Sequence, residues 1–353
     1  MRSFIYLSRC AGMRDDLAQA GGGNSSVKLS PTKMLIKASG FSLADVGENV
    51  GYCAVNPQVI VDYFSKDGFE ISANVEKDLI SNSLLSLSVQ ESGRTLRPSI
   101  ETFLHSITQK YTLHTHPTVV NILAATDEGW DTLKNLFPDA LFVDYETPGI
   151  KLAAKYFKAF KAFGKIPDVI FLKNHGLVVN GETGEVVKKK MDAILDVIEK
   201  YLCLDMERHH NATIIYDVTR QVPVLKDKIV WLAQNRDIGI ASESFGVDLW
   251  EWQFCPDCLV YCGKRALVLG DAFAVSDFEH HIETFGIPVV VSLRGNVYIV
   301  ADNVKKAKDI ESVLAFSAQV ALANKKLKLN LLSVDEQNFL LNWDAEKYRQ
   351  TAK

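Results

Sequence analysis

The segment Pro98–Pro117 reads PSIETFLHSITQKYTLHTHP, and its two halves carry different periods. Ile100, Phe103, Leu104 and Ile107 recur at three- and four-residue spacing, which predicts a helix over Pro98–Lys110. Tyr111–His116 then alternates and predicts a strand. Successive strand residues point to opposite faces, so His114 and His116 share one face. A helix thus delivers Glu101, and the strand after it delivers two imidazoles. A third histidine, His175, stands in Lys173-Asn174-His175-Gly176-Leu177, where the glycine lets another backbone pass close by.

Three neutral imidazoles with one open or carboxylate position describe a catalytic zinc-type site. A His-x-His pair alone more often marks exposed or hydrogen-bonded histidines, so the surroundings have to decide. They include Glu101 in Pro98-Ser99-Ile100-Glu101, where proline suits a first helical turn and serine a cap. A carboxylate beside a cation can be a ligand at rest and a proton shuttle once substrate displaces it. The plain alternative is a solvated partner of the helix dipole. His105, four residues on, shares that face and is read as a residue supporting the site from behind. Gly22-Gly23-Asn24-Ser25-Ser26 and Ser39-Gly40 are turns whose backbone N–H groups and short polar side chains can cradle an anion, or are simply tight turns. Lys28 and Lys37 add charge there or are exposed strand residues.

A chain of 353 residues exceeds what one core usually organises, so two domains are expected. With 47% hydrophobic and 23% charged residues the composition is globular throughout. The formal net charge of -4 leaves no basic footprint, and Lys188–Lys190 and Lys325–Lys328 read as solvated helix faces, so nucleic acid is not an expected partner. Arg9, Arg14 and two aspartates interrupt the N-terminal apolar stretch, and no run approaches the ~18 apolar residues of a membrane span. The expectation is a soluble, cytoplasmic protein without membrane contact. Six cysteines are too sparse for a disulfide framework.

Along the chain, a helix is expected over Arg2–Ala20, stopped by Gly21-Gly22-Gly23, then a hairpin of Ser25–Leu29 and Lys33–Ala38 turning at Ser30-Pro31-Thr32. Ala54–Phe64 reads as helical and is followed by a polar stretch up to Gly93. Beyond the histidines come helical turns at Asn121–Ala125 and Trp130–Leu136, a strand at Ala140–Tyr145 and a helix at Ile150–Phe163. Val169–Lys173 reads as a buried strand continued by Leu177–Asn180, and Thr183 to His210 as one long helix. A strand-like Thr213–Val218 marks the domain boundary, giving a catalytic domain 1–215 and a smaller α/β domain 216–353. The latter is expected to carry a helix at Lys226–Asn235, strands at Leu259–Tyr261, Ala266–Leu269, Val289–Ser292 and Val297–Val300, and helices at Asn303–Lys326 and from Val334.

Pro-Ser-x-Glu, the His-x-His a dozen residues later and the Asn-His-Gly-Leu further on resemble the class II aldolase/adducin family. Gly23-Asn24-x-Ser26 and Ser39-Gly40 resemble the loops that, with the serine of Pro-Ser-x-Glu, bind substrate phosphate there. All five motifs follow the family's order across residues 1–210. Within that family the chain resembles the aldolase part of two-part rhamnulose-phosphate aldolase/dehydrogenases, through GGGNSSVK, RPSIETFLH, LHTHP and FLKNHGLVV. Cys255-Pro256-Asp257 and the segment from Asn342 to Arg349 resemble that variant's extension, whereas a dehydrogenase part is not expected, since no G-x-G-x-x-G turn is present. The family's tyrosine proton donor has no clear counterpart after His116; Trp130 falls in that region, Tyr145 matches a different tyrosine, and Ile100 replaces a second serine before the glutamate.

The resemblance implies an α/β/α sandwich around a central, mainly antiparallel sheet. It implies a metal-dependent lyase acting on a ketose, in particular a ketose 1-phosphate, through a metal-stabilised enediolate. His114, His116 and His175 would hold zinc, manganese, iron or cobalt, Glu101 would move the proton, and Asn24, Ser39, Gly40 and Ser99 would bind substrate. A homo-oligomer, such as a tetramer, is the implied assembly. The alternatives are a sugar-phosphate 4-epimerase or dehydratase on the same fold, and a non-catalytic adducin-like interaction domain. Separately, Cys255-x-x-Cys258-x-x-x-Cys262, with His280 or His281, offers a second zinc or redox reading against the plain one of small buried residues in an apolar strand.

Overall fold

The computed structural model describes residues 1–85 and 96–342. The end of the polar stretch before Pro98 and the segment after Asn342 lie outside the described residues. The chain forms two compact units, Met1–Met206 and Glu207–Lys353. The first ends nine residues before position 215.

The first unit opens with α1 (Arg2–Gly12), followed by β1 (Asn24–Ser30), β2 (Lys33–Lys37), β3 (Tyr52–Val55), α2 (Gln58–Phe64), α3 (Ala73–Ser83), α4 (Thr102–Ser106) and β4 (Tyr111–Thr115). It continues through α5 (Thr118–Ala124), α6 (Asp127–Leu136), β5 (Leu141–Val143), α7 (Ile150–Phe163), β6 (Val169–Leu172), β7 (Gly176–Gly181) and α8 (Gly184–Leu202). The seven strands run in the order β3-β2-β1-β4-β7-β6-β5. Every pair is antiparallel except the parallel β5–β6.

Strand alternation sends Leu113, Phe171, Leu177 and Val179 into one layer with Leu7, Val120, Trp130 and Leu195 of the helices α1, α5, α6 and α8. It sends Ile170, Leu172 and Val178 into the opposite layer with Phe64, Phe103, Ala153 and Tyr156 of α2, α4 and α7. The expected α/β/α sandwich with a mainly antiparallel sheet is therefore present.

Local departures have physical causes. The first helix stops at Gly12 because a β carbon there would lie 2.0 Å from the Ala44 backbone nitrogen, so the helix end abuts another segment. Cys53, Ala54 and Val55 are claimed by β2 as a third strand, and the helix starts only after Pro57. The predicted Pro98–Lys110 helix shrinks to α4, because Ala38 pairs with Pro98 across a β-bridge and holds that end extended. Leu177–Asn180 does not continue β6: Asn174 takes a left-handed conformation (φ 53°) and reverses the chain, so that Leu172 pairs with Gly176. The long helix ends at Leu202, where Cys203 is left-handed (φ 54°).

The second unit consists of α9 (Glu207–Thr219), β8 (Ile229–Leu232), α10 (Arg236–Phe245), α11 (Pro256–Cys262), β9 (Leu267–Leu269), α12 (Val275–Phe285), β10 (Val290–Leu293), β11 (Asn296–Ala301), α13 (Val304–Ala323) and α14 (Val334–Asn342). Its sheet runs β8-β11-β10-β9, with β9–β10 parallel. All four residues of β10 are buried, as in a sheet covered on both faces. The strand expected at Thr213–Val218 is helical, its buried His209, Ala212, Tyr216 and Thr219 recurring at helical spacing. Conversely Ile229–Leu232, expected in a helix, pairs with β11, and Leu259–Tyr261, expected as a strand, lies in α11 behind Pro256. No helix among the described residues is long and apolar enough to cross a membrane.

Candidate metal centre

Strand β4 lies between β1 and β7, and its register builds the site. Asn24 is directly opposite His114 on β1, and cross-strand partners project to the same face. His116 lies two residues after His114, just beyond the strand, where its N–H donates to the Leu17 carbonyl at 2.8 Å. His175 occupies the β6–β7 turn and accepts through its own carbonyl from the Asn121 side chain at 3.2 Å. Gly176 follows because a β carbon there would stand 2.2 Å from the Thr115 carbonyl oxygen. Gly22 makes room on the other side: its β carbon would lie 3.0 Å from Nδ1 of His116.

The three rings converge, with centroids 4.9–5.1 Å apart. Their ligand nitrogens all lie within 4.8 Å of one another. Nε2 of His116 is 3.1 Å from Nε2 of His114. Glu101, at the N-cap of α4, bridges His114 and His175, with Oε2 3.3 Å from Nε2 of His114 and Oε1 3.2 Å from Nε2 of His175. The Asn24 amide donates to Oε2 at 2.5 Å, and the Ser99 hydroxyl accepts from the Glu101 N–H at 3.3 Å.

This donor set fits a divalent cation. Nδ1 of His114 lies 3.1 Å from the Leu177 carbonyl, which requires the proton on Nδ1 and leaves a lone pair on Nε2 in the neutral ring. That lone pair faces a carboxylate oxygen, and two acceptors so placed repel unless a proton or a cation sits between them. Separations of 3.1–3.3 Å match the edge of a tetrahedron, about 3.4 Å for metal–ligand bonds of ~2.1 Å.

Charges without a metal follow the same logic. Burial opposes ionisation of Glu101, but His114 and His175 hold its carboxyl well below the usual carboxylate range. Burial also disfavours charge on His114, yet the Glu101 carboxylate and the Leu177 carbonyl raise it overall. Burial, with two imidazoles alongside, pushes His116 down to about 3.

A cleft of about 430 Å³ opens onto this cluster. Asn24, Ser39, Gly40, Ser99, Glu101, His116 and His175 line it, while His114 is buried behind. Ser39 is drawn toward Ser99 because its N–H donates to the Arg97 carbonyl at 2.8 Å. Gly40 adopts φ 87°, a backbone that a side chain would strain.

Lys37 also lines the cleft, its ammonium donating to the Gly21 and Phe41 carbonyls at 3.1 and 2.7 Å, with burial pushing it down to about 8. Lys28 instead donates to the Thr108 and Gln109 carbonyls outside the cleft. His105 is fully buried, with Nδ1 2.8 Å from the Ser26 hydroxyl. Trp130 is 2% exposed within the helical core and Tyr145 is 59% exposed, and neither lines the cleft. Sequence reasoning missed Arg97 and Pro148, which line it too; Arg97 directly precedes Pro-Ser-x-Glu, and that adjacency was the available signal.

The model of the class II aldolase and adducin N-terminal domain family matches residues 3–202. The chain is 25% identical over 238 residues to the uncharacterized oxidoreductase YuxG of Bacillus subtilis, covering 65% of this chain and 32% of that protein. It thus spans about a third of the length of the curated relative it matches. The N-terminal class II aldolase domain of a conserved protein from Thermoplasma acidophilum aligns with a TM-score of 0.49 at 25% identity, over 57% of this chain and 92% of that one. A sugar-phosphate aldolase from Thermotoga maritima aligns with a TM-score of 0.39 at 15% identity, over 57% and 94%.

Proposed function

The chain belongs to the class II aldolase and adducin family, and we propose that it is a divalent-metal-dependent lyase that cleaves or forms a carbon–carbon bond in a ketose, in particular a ketose 1-phosphate. The observation that carries this reading is the convergence of His114, His116 and His175 on one another, with the Glu101 carboxylate against His114 and His175 at ligand-to-ligand spacing.

In this reading the three imidazoles hold the ion, zinc or else manganese, iron or cobalt. Such an ion, when bound, supplies Lewis-acid polarisation of a carbonyl oxygen. Glu101 rests among the histidines, held by Asn24, and takes or returns the proton at the carbon where the bond is cut. Asn24, Ser39, Gly40 and Ser99 hold the substrate's anionic end, and the Lys37 and Arg97 side chains at the cleft add positive charge around it. His114 and His116 are retained together with His175, which favours catalysis over an adducin-like binding role.

Within the family we favour kinship with the aldolase part of rhamnulose-phosphate aldolase/dehydrogenase-type proteins, on the sequence resemblance in GGGNSSVK, RPSIETFLH, LHTHP and FLKNHGLVV. The oxidoreductase name of the longer Bacillus subtilis relative is in keeping with that kinship. A cytoplasmic homo-oligomer with a catalytic region over 1–215 completes the proposal.

The test is elemental analysis of the purified, tag-free protein beside His114→Ala and His116→Ala. About one ion per chain, lost in both variants, followed by aldehyde release from a ketose 1-phosphate, is the expected result. A native protein that stays metal-free after incubation with zinc, manganese or cobalt would overturn the lyase reading in favour of the adducin-like one. Metal binding with epimerised or dehydrated product instead of aldehyde would move the reaction to the epimerase or dehydratase alternative.

A further inference from the structure

The second unit carries a cluster of nucleophiles that the lyase reading does not use. Cys255 is the N-cap residue of α11, in extended backbone (φ -144°, ψ 160°), and Cys258 is the third residue of that helix. An N-cap side chain folds back over the first turn, toward the residue three positions on. Here this brings Sγ of Cys255 to 3.2 Å from Sγ of Cys258. Sγ of Cys258 lies in turn 3.1 Å from the Ser317 hydroxyl on α13. Cys262 is buried, and among the described residues these thiols do not gather a third histidine, cysteine or carboxylate into a metal-binding group. The zinc reading of the cysteine spacing is therefore not the one the geometry favours.

We propose that Cys255 and Cys258 form a dithiol that exchanges reversibly with small-molecule disulfides, closing to an intramolecular disulfide at the start of α11. A disulfide bond is ~2.05 Å long, so closure needs an approach of only about 1 Å from the observed contact. The two thiols differ in a way that orders the steps. Cys255 is half-exposed and can meet a disulfide from solvent, whereas Cys258 is 3% exposed and burial pushes its thiol up to about 11, so it stays protonated and unreactive toward outside reagents.

The Cys255 thiolate attacks one sulfur of the incoming disulfide, whose S–S bond breaks and releases one thiolate. Cys258 then gives up its proton to that departing thiolate and attacks the Cys255 sulfur, and the second half leaves as a thiolate that takes up from solvent the proton Cys255 had lost to it. The pair loses two electrons, and one disulfide becomes two thiols.

The experiment uses the full chain carrying Cys203→Ser, since Cys203 is an exposed thiol that would react on its own. The folded protein is incubated with glutathione disulfide, quenched in acid, alkylated in denaturant and mapped by peptide mass. The expected result is the loss of two hydrogens and of two alkylation sites, both within the peptide that spans Cys255 and Cys258, and full reversal by dithiothreitol. Cys258→Ser should instead stop at a mixed glutathione disulfide on Cys255, and Cys262→Ser should behave as the parent. The proposal is overturned if every remaining thiol of the folded parent stays alkylatable after glutathione disulfide treatment. A stable glutathione adduct on Cys255 in the parent would overturn it equally. The readout on the parent needs no substitution near α11, so a variant that fails to fold leaves the test intact.

Discussion

Replacing Gly176 with alanine is expected to disable the metal centre without removing a single ligand. The new β carbon would stand 2.2 Å from the Thr115 carbonyl oxygen, 3.2 Å from its carbon and 3.1 Å from Cδ2 of His116. Gly176 does not have a left-handed φ, so alanine tolerates its backbone conformation and the whole effect is collision. A carbon–oxygen contact needs about 3.3 Å, so β4 and β7 must part by about 1 Å where His116 and His175 leave them. Overpacking of this kind costs about 1–3 kcal/mol, which for a unit of this size lowers the melting temperature by about 2–12 °C.

The effect on the ion should be larger, because metal–ligand distances tolerate only about ±0.2 Å. We expect affinity to fall at least about tenfold, the scale seen when a metal ligand loses its supporting contacts. Chelator competition and thermal unfolding would be run beside Gly181→Ala on the same strand. There the nearest atoms to the added carbon are side-chain atoms of Val186 and Val187, at 3.1 and 3.3 Å, with no backbone among them, and metal affinity should hold. A Gly176→Ala protein with native metal affinity and melting temperature would refute the argument that backbone contact between β4 and the β6–β7 turn sets the site.

Two further outcomes follow from individual contacts. Asn24→Asp would set a carboxylate where an amide now donates to Glu101 at 2.5 Å, so one of the two acids must hold a proton at neutral pH; kcat/KM for the proposed cleavage should fall at least about tenfold while metal content stays at the level of the unsubstituted protein. Unchanged kcat/KM would show that Asn24 does not position Glu101. Burial pushes the His105 imidazole down to about 3, whereas the unfolded chain titrates near 6.5. Between those values the unfolded state binds the extra proton, so the stability from His105 is complete above about 6.5 and lost as pH falls, by up to about 1.4 kcal/mol per pH unit. Urea unfolding of the metal-free protein between pH 4 and 7 should show a shallower acid loss in His105→Gln, and equal slopes would remove His105 as the cause.

What the sequence revealed about the fold depended on whether local pattern and tertiary demand agreed. Ile150–Phe163 was legible because its apolar stripe and Gly164 stop point the same way, and α7 has those bounds. Tyr52–Val55 was not: four residues with no alternation join the sheet only because β2 offers an edge. Thr213–Val218 is rich in β-branched residues, yet the helical spacing of His209, Ala212, Tyr216 and Thr219 prevails over that propensity. Ile229–Leu232 shows the reverse, since within the expected Lys226–Asn235 helix it pairs with β11 and joins the sheet.

The candidate site was more legible than the fold around it, because its logic is strand alternation, which survives errors in element length. His114 and His116 share a face whether the strand ends at Thr115 or His116, and Glu101 reaches His114 from an N-cap as readily as from within a longer helix. What sequence could not supply is register. That Asn24 is paired with His114, and so holds Glu101 as well as lining the cleft, follows from which residues of β1 and β4 stand opposite each other. The reversal at Asn174 is likewise invisible in a run that reads as one interrupted strand. If Val169–Asn180 were continuous, His175 would lie inside a strand. Because it turns, His175 sits at a tip where Gly176 can touch Thr115, and the third imidazole reaches the other two.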